Sequence, residues 1–388
     1  MEKYRFIEEE LNRREQQSLL RQLRAVTPVD GMELRIRGQN TVNFCSNDYL
    51  GLSKHPLLME RAIEFTKRYG TGATASRLVC GNYDCFQVVE EKLAALKGTE
   101  AALILNSGFQ ANVSILPALA DRETLILSDE LNHNSIVQGA LLSRCRILRF
   151  RHNDVAHLAK LLRENSNKEF SRCLVVTESV FSVDGDQCHM ESLVELAHAF
   201  DAFLVVDEAH ATGVLGPKGM GLCCGKGVDL TIGTFGKACG SFGAYAACSR
   251  KLRDYLVNCC SGFIYTTALP PSVIGSIDAA LDLIPAMDNE RKELHAKADF
   301  LRSRLQNMGL KTGSSNTQII PVIIGKERDA LNLSRHLENG GALATALRPP
   351  TVPEGESRIR LALSVTHTKE QLEDLIQLFE EGYPHGNH

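Results

Sequence analysis

A chain of 388 residues can bury a substantial core and is long enough for one large domain and a smaller one. Its formal net charge of −4, with both signs interspersed, provides no basic footprint and argues against nucleic acid as a partner. No apolar run reaches the roughly 18 residues of a membrane span, and the opening MEKYRFIEEELNRREQQ is charged where a secretory signal has an apolar centre, so no membrane association and a cytoplasmic location are expected.

Residues 1–30 read as a charged, amphipathic arm, and ELRIRGQNTVNFC (33–45) reads as a hairpin around Gly38 and Asn40. From about residue 57, strands and helices alternate. Asp84 is expected to cap a helix whose Phe86, Val89, Leu93 and Leu96 share one face and which stops at Gly98. Short apolar runs follow as strands: ALIL (102–105), TLIL (124–127), ILRF (147–150), CLVV (173–176), FLVV (203–206), LTIG (230–233) and AYAA (244–247). Most are separated by helical stretches, a rhythm that predicts a mostly parallel, doubly wound, seven-stranded sheet of the α/β class. A long helical stretch over 272–308 leads to a different pattern: strand QIIPVIIG, helix 328–339, strand-like ALATALRPP and RIRLALS, and a last helix near 368–381. The expected division is an arm and hairpin over 1–45, a large domain over 46–271 and a smaller α+β domain over 272–388. Twelve cysteines are scattered without C-x-x-C or zinc spacing, so neither a disulfide framework nor a metal site is expected.

The run FLVVDEAHATG (203–213) puts Asp207, Glu208 and His210 just past a strand's carboxyl end, where open α/β sheets bind ligands. A DEAH-type nucleotide hydrolase is one reading, but its carboxylate needs a G-x-x-x-x-G-K-[ST] phosphate loop, and none is present. The nearest imitation, TIGTFGKACG, has Thr231 and Ala238 at the wrong positions, so Lys237 needs another task. Asp207, His210 and Lys237 reach one crevice from neighbouring strand ends, and Gly233, Gly236, Gly240 and Gly243 leave room for a bulky group on the amine. That set fits pyridoxal phosphate, which needs a lysine for its aldehyde, an acid for its ring nitrogen, a donor at its phenolic oxygen and amides for its phosphate. In NSGFQAN, Ser107 can cap a helix whose N–H groups near Gly108 and Phe109 face an anion, and Thr234 can add a hydroxyl; alone, such a turn is only a turn. His133, after TLIL, can lie against the cofactor ring or simply cap a helix at the surface, and Ser182 can hydrogen-bond near the phenolic oxygen.

SNDYLGLS (46–53), SGFQAN (107–112), VFSVDGD (180–186), VVDEAHATGVLG (205–216), TFGKACG (234–240) and RPPTVPEGESRIRLALS (348–364) together resemble the α-oxoamine synthase family of fold-type I pyridoxal phosphate enzymes, in the family's order. The resemblance implies a decarboxylative Claisen condensation between an amino acid and an acyl thioester, with Lys237, His133, Asp207 and His210 in the catalytic centre. Within the family RPPTVP is similar to the biotin-pathway branch, which implies L-alanine and pimeloyl-CoA or pimeloyl-acyl carrier protein as substrates. Relatives such as glycine C-acetyltransferase usually carry a tyrosine-containing version there. Ala73, Thr74 and Ala75 depart from a segment that is usually glycine- and serine-rich. By resemblance Arg360 pairs with the amino acid's carboxylate with Asn47 as helper, and Arg21 and Thr351 lie near the acyl substrate. The family's homodimers further imply that Thr266 and Thr267 of YTTALPP reach the neighbouring subunit's cofactor phosphate. Inside the alternating strand RIRLALS a buried Arg360 needs a partner, and an anionic one is expected.

Overall fold

The computed structural model describes residues 2–17, 19–166 and 170–383. Helix α1 (Arg5–Gln16) buries none of its residues, as its charged sequence dictates. Strand β1 (Thr27–Pro28) precedes the hairpin of β2 (Glu33–Ile36) and β3 (Gln39–Asn43). Ile36 pairs with Gln39 across Arg37 and Gly38, both left-handed at φ 51° and 86°, as the twist of a two-residue hairpin turn demands. Then come α2 (Pro56–Tyr69) and α3 (Asp84–Lys97). Contrary to the expected Asp84 cap, Tyr83 is the cap residue of α3 and gives no side-chain bond, while Asp84 is the first helical residue. The predicted stop holds, with Gly98 left-handed at φ 68°.

Next are β4 (Ala101–Leu105), α4 (Gly108–Leu119), β5 (Thr124–Asp129), α5 (Asn134–Leu142), β6 (Arg146–Phe150), α6 (Val155–Asn165), β7 (Arg172–Glu178), α7 (Met190–Ala199), β8 (Phe203–Asp207), β9 (Leu230–Thr234) and β10 (Ala244–Cys248). All seven apolar runs are strands of one sheet, ordered β4-β10-β9-β8-β7-β5-β6, in which only β10 runs against its neighbours. Alternate residues enter cores on opposite faces: Ile126 and Val205 pack on one, Leu125, Leu127, Leu204 and Val206 on the other. Burial on both faces explains why these strands are apolar throughout rather than alternating.

Helices α8 (Arg250–Cys259), α9 (Ser261–Ile264) and α10 (Pro271–Leu283) follow, then α11 (Asp288–Asn307), β11 (Ile319–Gly325), α12 (Glu327–Asn339), β12 (Ala342–Leu343), β13 (Thr345–Leu347), β14 (Ser357–Ala362) and α13 (Lys369–Gly382). The helix expected over 272–308 is two helices, separated by a tight turn at Ile284–Ala286 where Pro285 cannot continue the ladder. ALATALRPP is likewise two strands in different sheets. β12 pairs in parallel with β3 of the hairpin, whereas β13 joins the sheet β11-β14-β13. At the break the Ser334 hydroxyl donates to the Ala344 carbonyl at 2.6 Å. The segment after the hairpin is also held by the C-terminal region: Ala362 N–H donates to Phe44 O (2.8 Å) and Val365 N–H to Tyr49 O (2.9 Å).

Candidate active site

The carboxyl ends of the parallel strands converge on one crevice. β8 delivers Asp207, 7 % exposed, and β7 delivers Glu178, 3 % exposed, directly beside it in register. Asp207 Oδ2 accepts from Asn112 Nδ2 (2.7 Å) and Oδ1 from Ala209 N–H (2.8 Å). Among the described residues no cation lies within ion-pairing distance of this buried carboxylate. Asn112, on α4, also donates to Ser135 Oγ (3.0 Å), which meets His133 Nδ1 at 2.7 Å. Asn112 sits inside SGFQAN yet has no distinguishing signal in the sequence, since a polar residue on a helix is usually solvated.

His133 both caps α5, accepting from Ser135 N–H at 3.2 Å, and keeps its ring exposed at the crevice, so the two sequence readings are compatible. Its own N–H donates to Glu178 Oε1 at 2.5 Å. Burial, reinforced by the Asp207 charge, pushes the Glu178 carboxyl up to about 8, so at neutral pH Glu178 is largely protonated.

Lys237 reaches His210 Nε2 with its amine at 2.7 Å. Burial lowers the Lys237 ammonium to about 8 against the pull of Asp207 and Glu178, with Arg360 pushing the same way as burial. His210 is 5 % exposed, and burial followed by the positive charges of Lys237 and Arg360 holds it well below its usual value, hence neutral. Its other nitrogen, Nδ1, lies 2.6 Å from the hydroxyl of Tyr49, a residue the sequence did not single out.

The glycines around Lys237 do a different job from the one expected. A Cβ on Gly233 would sit 2.3 Å from the Tyr245 ring, one on Gly240 2.5 Å from the Leu52–Ser53 backbone, and one on Gly243 3.0 Å from Leu269. They admit neighbouring protein atoms; only Gly236 faces open surroundings, with Thr234 Oγ1 at 3.5 Å. Glu208 is structural as well: fully buried, it pairs with Lys97 of α3 at 2.7 Å and accepts from Cys223 N–H.

Ser107 caps α4 as expected, its Oγ accepting from Gln110 N–H at 3.2 Å. The first intrahelical bond is Ala111 N–H to Ser107 O, so the N–H groups of Gly108 and Phe109 have no acceptor in the helix. Gly108 packs close to Thr234, whose hydroxyl donates to Gly243 O and accepts from Gly236 N–H. Thr266 and Thr267 lie beside Asn106 of the same chain, which donates to Thr266 Oγ1 (3.2 Å) and Thr267 O (2.8 Å).

Arg360, on β14, enters from the C-terminal region. The anionic partner expected for it is absent among the described residues: Nε donates to the Ser182 carbonyl (2.6 Å) and Nη2 to Asn47 Oδ1 (3.3 Å), both neutral. Partial exposure lets the guanidinium do without a carboxylate. Ser182 thus meets Arg360 through its backbone. Arg21 and Thr351 are exposed, and neither is hydrogen-bonded to the groups around Lys237. Arg21 lies near enough to Arg348 for its charge to act there.

The family model described as aminotransferase class I and II matches residues 39–379. A protein of Desulfosudis oleivorans described as putative 8-amino-7-oxononanoate synthase is 62 % identical over 98 % of both chains. The chain belongs to the aminotransferase class I and II family. The 8-amino-7-oxononanoate synthase of Gluconacetobacter diazotrophicus is 50 % identical over 92 % of each chain. A solved structure of SPT with a PLP internal aldimine superposes with a TM-score of 0.90 at 27 % identity, covering 98 % of this chain and 97 % of that one. The α-oxoamine synthase resemblance and the fold-type I architecture read from the sequence therefore stand. No helix among the described residues is long and apolar enough to cross a membrane.

Proposed function

We propose that this synthase condenses L-alanine with a pimeloyl thioester, carried on CoA or acyl carrier protein, to give 8-amino-7-oxononanoate, carbon dioxide and free thiol in cytoplasmic biotin biosynthesis. The observation that carries this is Lys237, a lysine whose ammonium burial lowers to about 8, so that a usable fraction is free base near neutral pH, set beside a buried carboxylate with no ion-pairing cation among the described residues. Pyridoxal phosphate fits these residues. Asp207 would meet its ring nitrogen and gain the missing cation, the His133 ring would cover its face, and Ser182 and His210 would serve the phenolic oxygen. The open N–H groups of Gly108 and Phe109, with Ser107 and Thr234, would hold the phosphate. When bound, the cofactor supplies an aldehyde for the amino group and an electron sink for the carbanion.

The chain's own part follows from its geometry. Lys237, whose ammonium is lowered to about 8 and so loses its proton readily, removes the Cα proton of alanine and later returns one. The Arg360 fork, held by Ser182 and Asn47, offers its remaining N–H groups to the alanine carboxylate. Arg21 and Thr351 serve the acyl substrate. Two copies would complete each other's sites through Thr266 and Thr267; Tyr265 next to them is 85 % exposed, and Phe109 and Phe242 are each 54 % exposed, apolar surface that a homodimer would cover. The division at residues 45 and 271 remains our proposal for the domains.

Lys237→Ala tests the reading. The variant should keep the cofactor non-covalently, lose its borohydride-reducible visible chromophore and lose turnover; near-normal condensation would end this assignment. Faster turnover of glycine with acetyl-CoA than of alanine with a pimeloyl donor would move the chain to the glycine C-acetyltransferase reading.

A further inference from the structure

We propose that Tyr49 is a positioning residue that fixes which ring nitrogen of His210 carries the proton, and so ties the Lys237 amine to the Asn47–Arg360 end of the site. Tyr49 is fully buried; its hydroxyl meets two atoms able to accept from it, His210 Nδ1 at 2.6 Å and Asn47 Oδ1 at 3.0 Å, while the Arg360 and Gln318 side chains, donors only toward it, also act on its oxygen. It has one hydrogen to give. Asn47 Oδ1 is fixed as an acceptor because Arg360 Nη2 points at it and a guanidinium only donates. At the far end, an ammonium on Lys237 has donors only, so His210 Nε2 must accept from it. His210 is neutral, so its proton then sits on Nδ1 and is donated to the Tyr49 oxygen, and the Tyr49 hydrogen goes to Asn47. Every donor points one way, from Lys237 to Asn47.

When Lys237 loses its proton, the amine gains a lone pair that can accept from an Nε2–H. Tyr49 can then turn its hydrogen to Nδ1, and Asn47 Oδ1 loses a donor while keeping Arg360. The proton on Lys237 is thereby felt where the amino acid's carboxylate is read. The charged and titratable groups facing this chain favour a single proton on His210: Lys237, Arg360 and His133 oppose its ionisation, while Asp207 and Glu178 act on Lys237 from β8 and β7. Gln318 fixes the His210 backbone carbonyl at 3.0 Å, and the ring is held at its two nitrogens by Lys237 and Tyr49.

The test uses the full chain freed of cofactor. Histidine nitrogen NMR should find His210 in the Nδ1–H form below pH 8 and in the Nε2–H form above it. Tyr49→Phe keeps the buried ring but removes the hydroxyl, so the Nδ1–H preference should be lost and Lys237, deprived of a fixed acceptor, should deprotonate more readily. A fall of one unit from about 8 raises the free amine at pH 7 from roughly a tenth to about half, so formaldehyde–cyanoborohydride methylation of the Lys237 peptide should rise about fivefold. In the holoenzyme KM for alanine should rise with KM for the acyl donor unchanged; this last arm alone rests on the function proposed above. A His210 tautomer constant from pH 6 to 9.5 in the unsubstituted chain overturns the proposal, even if Tyr49→Phe fails to fold. So does a folded Tyr49→Phe with unaltered Lys237 reactivity.

Discussion

Lys97→Ala should destabilise the protein severely while leaving every reacting group untouched. Lys97 is 2 % exposed and Glu208 0 % exposed, their charged atoms 2.7 Å apart. The ammonium also donates to Met220 O at 2.6 Å and lies 4.9 Å over the Tyr245 ring, and Glu208 Oε1 accepts from Cys223 N–H at 2.7 Å. The backbone wraps the carboxylate so closely that a Cβ on Gly221, at φ +89°, would land 2.1 Å from Glu208 Oε2. Truncating the lysine therefore leaves a carboxylate sealed from water with one N–H for company. Breaking such a pair costs about 3–5 kcal/mol, at least a fifth of a typical stability of about 5–15 kcal/mol. With a urea slope of about 3 kcal/mol/M the midpoint falls by about 1–2 M. Far-ultraviolet dichroism and tyrosine fluorescence report it, the chain having eight Tyr and no Trp. Lys97→Met combined with Glu208→Leu removes both charges and should recover most of the loss. A single variant with an unshifted midpoint, or a double variant worse than the single one, would refute the reasoning.

Asp207→Asn should retain the cofactor but slow exchange of the alanine Cα proton for deuterium by several orders of magnitude; near-normal exchange would remove Asp207 from the chemistry. Arg21→Ala or Thr351→Ala should raise KM for the pimeloyl donor and leave the spectral change on adding alanine intact, and the reverse pattern would place them at the amino-acid end. His152 lies between Asp129 Oδ1 (3.0 Å) and Asp186 Oδ2 (2.8 Å); burial opposes its charge, but these hydrogen bonds prevail and raise it to about 10. Being raised, it contributes stability fully below its unfolded value near 6.5 and loses it as pH rises through about 10. The urea-midpoint deficit of His152→Gln should accordingly be full at pH 6 and vanish above about pH 10, and a deficit constant across that range would contradict the assignment.

The seven strands of the large sheet were legible because burial on both faces demands unbroken apolar runs, and the crevice was legible because chemistry collects at their carboxyl ends. Less legible was anything decided by a partner far along the chain. Lys97 is the last residue of a helix, where a lysine looks solvated; its partner Glu208 looked like chemistry because it sits between Asp207 and His210. Tyr49 lies in a quoted motif, yet its meaning depends on His210, which no local spacing connects to it. The glycines near Lys237 were read as room for a ligand, although most make room for Tyr245, Leu52 and Leu269. Small residues announce a close approach without saying what approaches.

The clamp of residues 44–49 by residues 362–365 has a consequence for how the protein is made. Strand β10, the last of the large sheet, ends at Cys248, whereas Arg360 leaves the ribosome about 110 residues later, a lag of roughly 6–22 s at about 5–20 residues per second. During that interval Lys237, Asp207 and the N-terminus of α4 can already stand in place. Phe44 and Tyr49, although synthesised first, have nothing to close on until Ala362 and Val365 arrive. The half of the crevice proposed to read the amino acid is thus assembled from the two ends of the chain and completed last, after the strand ends that carry Lys237 and Asp207.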